Sequence, residues 1–298
     1  MGVTERLAEL FESAEEIVFN NSSRLILFSD CHRGDNSWAD EFADNQNLFF
    51  HALDHYYRNG FIYIEIGDGE ELWENARFED IRKAHSHIYW LMNRFHKEGR
   101  LHLIWGNHDI ERKDWKRAGQ GLLRYYDKRT QDSEGLFENI DMHEGLILRH
   151  EETGGKIFLI HGHQADPFND RFWFISKWIN RYIWKYLQLL GMRDPTSPAH
   201  SLRRQVEIEG ALRKWAETRK QPLVAGHTHN SSFPVPQGPS YFNTGSCVHP
   251  RCITGIEIEN GELLLIKWWV KTREDGSLFV GKDRLVEEAW RLGSSSAL

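Results

Sequence analysis

The chain has 298 residues, 40% hydrophobic and 27% charged, a balance that excludes wholesale disorder and leaves room for one large domain or two modest ones. No apolar run approaches the roughly 20 residues needed to span a bilayer. The first ten residues lack the basic stretch and apolar core of a signal peptide, so a cytoplasmic protein is expected.

Three cysteines, Cys31, Cys247 and Cys252, have an odd count and no paired spacing, which does not suit a disulfide framework. The net charge of −7 is uneven. Residues 171–220 hold 11 Lys and Arg against 4 Asp and Glu, while the rest of the chain holds 26 against 40. A basic segment on an acidic body fits either an anionic partner or a solvated helix face.

In chain order, Leu7, Leu10, Phe11, Ala14 and Ile17 recur at helical spacing and predict an amphipathic helix over 4–17. Arg24–Ser29 is a strand of buried type, residues 41–58 are helical, and Phe61–Ile66 is a second strand. A helical segment then runs to about residue 97, and Leu101–Trp105 is a third strand. This alternation predicts an α/β domain with a partly parallel sheet. From residue 140 the texture changes. Ile140–His150 and Lys156–Ile160 flank Thr153-Gly154-Gly155 as a hairpin, and short strands follow at 221–225, 240–246, 252–258 and 262–269. A second, more antiparallel sheet is the expectation.

The strand ends carry the chemistry. Arg24–Ser29 runs into Asp30-Cys31-His32-Arg33-Gly34, and Phe61–Ile66 into Gly67-Asp68-Gly69-Glu70. Leu101–Trp105 ends in Gly106-Asn107-His108-Asp109, Lys156–Ile160 in His161-Gly162-His163, and Leu223–Ala225 in Gly226-His227-Thr228-His229. In open α/β sheets, ligand sites gather beyond the carboxyl ends of strands. Residues two apart in an extended segment share a side, so Asp30 with His32, and His227 with His229, can approach one point as pairs. Carboxylate, amide and imidazole donors together suit Mn²⁺, Fe²⁺ or Zn²⁺.

In this order the blocks D-x-H, GD, GNH[DE], H and GHxH resemble the calcineurin-like metallophosphoesterase pattern over roughly residues 24–250. The resemblance implies a four-layer αββα sandwich, two mixed sheets flanked by helices, making a single domain over 1–298. It also implies two divalent metal ions, Mn²⁺ first among the candidates. Asp30, His32 and His229 would hold one, Asn107, His161 and His227 the other, and Asp68 would bridge them. His108 would face the phosphate and assist the leaving group, with Asp109 orienting its imidazole. The implied reaction is hydrolysis of a phosphodiester or pyrophosphate by hydroxide generated at the metals. His163 is open between a supporting donor and a turn histidine, and Asn243-Thr244-Gly245-Ser246 resembles a supporting loop of the family.

Residues 168–219 interrupt the strands as a helical insertion, the usual place for a cap or lid. Within 168–190, Lys177, Arg181, Lys185 and Gln188 form a polar stripe, and Phe168, Phe172, Ile175, Ile179, Tyr182, Tyr186 and Leu190 an apolar face. Trp173, Phe174, Trp178 and Trp184 widen that face. Such a helix is either wedged into the domain or forms a lid that meets an acyl chain or the membrane surface. The D-x-H-x-G block, Gly67–Asn75 and the insertion are similar to those of UDP-2,3-diacylglucosamine pyrophosphatases, which implies a UDP-linked, lipid-bearing substrate. That group carries arginine where this chain has His108. A phosphomonoesterase or protein phosphatase, a short-strand nuclease and a non-catalytic interaction module are the alternatives. The acidic body argues against extended duplex binding, while the basic insertion could still grip a short single strand.

Overall fold

Strand β2 (Arg24–Phe28) shows how the sheets are layered, because both of its faces are buried. Ile26 and Phe28 point into a cluster with helical residues, while Leu25 and Leu27 point into a second cluster shared with the other sheet. A strand covered on both sides reads as a continuous apolar run, as RLILF does. The computed structural model describes residues 2–114, 124–127, 131–166, 169–170, 177 and 201–292.

The protein is mixed α/β, with two mixed sheets and, among the described residues, five helices. The elements are α1 (Val3–Ser13), β1 (Glu15–Phe19), β2, α2 (Gln46–Arg58), β3 (Ile62–Ile66), α3 (Phe78–Ala84), α4 (Ser86–Lys97) and β4 (Leu101–Ile104). There follow β5 (Arg124–Asp127), β6 (Asp132–Gly135), β7 (Met142–His143), β8 (Gly145–His150), β9 (Lys156–Ile160) and α5 (Leu202–Arg219). The chain closes with β10 (Leu223–Ala225), β11 (Tyr241–Asn243), β12 (Cys252–Glu259), β13 (Glu262–Thr272), β14 (Leu278–Arg284) and β15 (Trp290–Arg291).

One sheet has the order β14-β13-β12-β2-β3-β4-β7, with β15 on β13, and the other β1-β8-β9-β10-β11. Strands β5 and β6 form a separate ribbon. The two large sheets share a cluster that includes Leu27, Ile64, Ile104 and Ile256 from the first and Leu146, Leu159, Val224 and Phe242 from the second. The far side of the first sheet packs Phe28, Tyr63 and Leu103 against Phe49, Leu53, Leu91 and Phe95 of α2 and α4. The far side of the second packs Phe158, Ile160 and Tyr241 against Leu7 and Leu10 of α1 and Leu212 and Trp215 of α5.

Three expectations are corrected. The first helix stops at Ser13, and Glu15–Phe19 becomes β1, parallel to β8. Ile17 and Phe19 alternate into the inter-sheet cluster there, so packing and the β-branched Ile17 and Val18 outweigh the helical spacing. The second sheet is not the more antiparallel one: β8 and β9 are antiparallel, but β1–β8, β9–β10 and β10–β11 are parallel. Residues 252–258 and 262–269 belong to the first sheet, where β12 pairs antiparallel with β2 in the register Ile256↔Leu27.

Of the insertion, Asn169, Asp170, Lys177 and residues 201–219 are described. The polar stripe beyond Lys177 and the aromatic face of 168–190 otherwise lie outside the described residues. Helix α5 buries Ile208, Leu212, Trp215 and Ala216 against the second sheet, so this part of the insertion is built into the core. Among the described residues no helix is long and apolar enough to cross a membrane.

Candidate metal centre

The ligand candidates sit on strained backbone. Asp30, His32, Asp68, His227 and His229 have φ of 52, 46, 50, 69 and 56°, in the left-handed region that side-chain-bearing residues avoid. Each such residue costs on the order of 1–3 kcal/mol and persists only where its surroundings over-determine it, as at functional sites. Asp30 and His32 follow strand β2, Asp68 follows β3, and His227 and His229 follow β10, while the other two expected ligands, Asn107 and His161, follow β4 and β9. Gly67 (φ +75°) shows why glycine stands in these blocks. A Cβ there would lie 2.6 Å from Cγ and Nδ1 of His161.

Six of the expected ligands fall into two donor groups. In the first, His229 Nε2 lies 3.2 Å from Asp30 Oδ1 and 3.1 Å from His32 Nε2. Two imidazole nitrogens facing one another beside a buried carboxylate could hold one cation. The second group joins Asp68, His161 and His227, all buried. His161 Nδ1 donates to the Ile66 carbonyl at 2.9 Å, which fixes the ring and leaves Nε2 toward the site. That Nε2 stands 3.0 Å from Asp68 Oδ2 without completing a hydrogen bond to it. Asp68 Oδ2 is also 3.7 Å from His32 Nε2, so this carboxylate lies between the two groups.

Hydrogen-bond satisfaction tests whether these residues fit a metal. Buried polar atoms normally find partners, yet Asn107 Oδ1, His161 Nε2 and His227 Nε2 are buried and make no hydrogen bond. All three are lone-pair donors suited to a divalent ion, so the residues fit a metal. Electrostatics set the form each donor holds in the absence of a cation. Burial would raise the Asp30 carboxyl, but His229 and His161 outweigh it and hold it at about 2. Burial lowers His161, while Asp68 and Asp30 outweigh that and raise it to about 9. Burial also lowers His227, favouring the neutral form that binds metal.

The supporting contacts differ from those expected. His108 Nδ1 lies 2.7 Å from Glu71 Oε2, and its ring stacks on Trp73 at 3.9 Å between centroids. Glu71 also meets His32 Nδ1 at 2.9 Å. Asp109, expected to orient His108, instead accepts from the backbone amides of Gly69 (2.9 Å) and Gly106 (2.6 Å) and pairs with Arg112. The sequence signal for Glu71 was its place three residues after Asp68, within Gly67–Asn75. His163 is buried beside the site, its ring 5.5 Å from His161 and 5.4 Å from Trp105. It also neighbours Glu144 and Asp170, where Arg6 already pairs with Glu144. Asn243 donates to the Gly226 carbonyl at 2.8 Å, and Ser246 Oγ to that of Asp30 at 3.2 Å, bracing two ligand loops. Cys31 is buried in the core.

No protein-family model matches the chain, and no curated protein does. Among solved structures, Vps29 from Chaetomium thermophilum is 11% identical, over 88% of this chain and 95% of that one, with a TM-score of 0.40. A point mutant of a cold-active protein tyrosine phosphatase is 14% identical, over 89% and 83%, with a TM-score of 0.37. Likenesses this distant carry no functional argument, and the residues themselves must.

Proposed function

We propose that the protein is a dinuclear metal-dependent phosphoesterase with the four-layer architecture of the calcineurin-like enzymes, hydrolysing a phosphodiester or pyrophosphate bond. One observation carries this: the Asp68 carboxylate stands between two donor groups, 3.7 Å from His32 Nε2 and 3.0 Å from His161 Nε2. Asp30, His32 and His229 would hold one cation, Asn107, His161 and His227 the other, with Asp68 shared. Two such cations supply Lewis acidity, ionising water near neutral pH and screening phosphate charge.

The chain's own residues do the rest. Glu71 accepts the Nδ1 proton of His108, leaving Nε2 to meet a substrate oxygen. Trp73 holds that ring flat by stacking. The left-handed ligand loops pre-organise the donors, so little rearrangement accompanies binding.

A UDP-linked or lipid-bearing substrate is the finer proposal, supported by the insertion and by the Gly67–Asn75 block. Contact of the 168–190 segment with a membrane surface belongs to the same proposal. The test is a Mn²⁺-supplemented screen of bis-p-nitrophenyl phosphate, UDP-diacylglucosamine, nucleotides, short single strands and monoesters. Turnover of a diester or pyrophosphate is expected. Turnover of monoesters alone would replace the substrate class, and none at all with metal bound would refute the enzymatic reading.

A further inference from the structure

Beneath the donor groups lies a second set of charges to which the proposed chemistry assigns no task. Arg33, Glu65, Glu70, Asp109 and Arg112 are all fully buried. We propose that Arg33 is a positioning residue that sets the separation of the two cation pockets by gripping both flanks of Asp68. The inference rests on the reading that both pockets take cations.

Arg33 follows His32 directly, so it belongs to the loop of the first pocket. Its guanidinium reaches into the loop of the second. Nη1 and Nη2 each donate to Glu65 at 2.8 Å, and Nη2 also donates to Glu70 Oε1 at 2.8 Å. Glu65 lies three residues before Asp68 and Glu70 two after it, so a single rigid fork spans the shared ligand. The backbones are laced at the same place. Asp30 N donates to Gly67 O (3.1 Å), His32 N to Asp68 O (2.9 Å), Arg33 N to Gly69 O (3.0 Å), and Glu71 N to Arg33 O (3.0 Å).

Arg112 extends the clamp to the third loop. It lies 3.1 Å from Glu65, 2.8 Å from Glu70 and 2.9 Å from Asp109, whose carboxylate caps the Gly69 and Gly106 amides. His32 and Asp68, whose distance sets the spacing of the pockets, both sit in left-handed backbone that would relax without support. A guanidinium can serve two carboxylates at once through its planar fork, whereas an ammonium is a single point charge.

The experiment uses the full chain carrying Arg33→Lys, which keeps the charge but not the fork. Manganese binding is followed by calorimetry, and the Mn²⁺–Mn²⁺ exchange coupling by electron paramagnetic resonance. Expected are an exchange-coupled pair in the wild type, and in Arg33→Lys a second-ion affinity weakened about 10-fold or more with the coupling reduced or lost. Leu263→Ala, buried in the inter-sheet cluster and paired through Ile258 with Leu25 at the end of β2 opposite Asp30, lowers stability and should leave both readouts unchanged, so that loss of stability alone is separated from positioning. Should Arg33→Lys not fold, Glu70→Gln loosens one flank only and must move both readouts the same way. A coupled pair with wild-type affinity in the folded variant, or in Glu70→Gln where it is needed, overturns this inference alone. A wild type that takes no manganese pair overturns the reading of the site and this inference with it.

Discussion

Gly60 and Gly67 share the same φ of +75° but differ in what surrounds them. A Cβ at Gly60 meets nothing within 4 Å, whereas at Gly67 it meets three atoms of His161 at 2.6–2.7 Å. Both alanine substitutions incur the left-handed penalty of about 1–2 kcal/mol. Gly67→Ala must in addition push the imidazole back by roughly 1 Å to reach ordinary carbon contact. Overpacking of that kind costs about 1–3 kcal/mol, and the bond from His161 to the Ile66 carbonyl contributes about 1 kcal/mol more. The sum is about 3–6 kcal/mol for Gly67→Ala, against about 1–2 for Gly60→Ala. Urea unfolding of the metal-free proteins reads the difference, and manganese calorimetry should show loss of affinity in Gly67→Ala alone. If the two variants unfold within about 0.5 kcal/mol of each other and bind manganese equally, His161 does not occupy the position described.

Three further outcomes follow from the same geometry. Asn107→Leu removes a buried oxygen that makes no hydrogen bond, so metal-free stability should change by no more than about 1 kcal/mol. The rise in Tm produced by Mn²⁺ should shrink in that variant, and an unchanged rise would remove Asn107 from the ligand set. His108→Ala should keep manganese affinity and lose roughly 10²- to 10⁴-fold in turnover, and normal turnover would end the role given to that imidazole. The pH dependence has a definite sign. Although burial lowers His161, Asp68 and Asp30 raise it to about 9, so below that pH the metal-free ring keeps a proton that a cation must displace. That proton stabilises the metal-free fold fully below the unfolded value of 6.5, and the contribution is lost as pH rises through about 9. Manganese affinity should therefore rise across this window with proton release, seen as a buffer-dependent heat of binding. A flat affinity would contradict the assignment.

The donors were legible before the fold because their chemistry is local. Asp, Asn or His beside glycine at the end of an apolar strand is visible in one dimension, and so is the run RLILF as a strand buried on both faces. Elements with weak local signals were not legible. Glu15–Phe19 follows a helical spacing without a break, and only a partner strand, β8, makes it β1. Residues 252–258 alternate like any strand, and pairing with β2 rather than β11 is settled by which side chains meet across the sheets. Glu65, a lone carboxylate within FIYIEI, has no partner nearby in sequence, and only the fold brings Arg33 and Arg112 to it as a buried anchor. Asp109 beside His108 in sequence suggested a pair, but in space Glu71 reaches that ring and Asp109 turns to the backbone. Which residues could donate to a cation is readable from neighbouring positions, because donor chemistry and strand-end placement are both local. Only the tertiary fold brings these donors together and sets Arg33 and Arg112 between their loops, because such contacts join residues as far apart in the chain as Asp30 and His229.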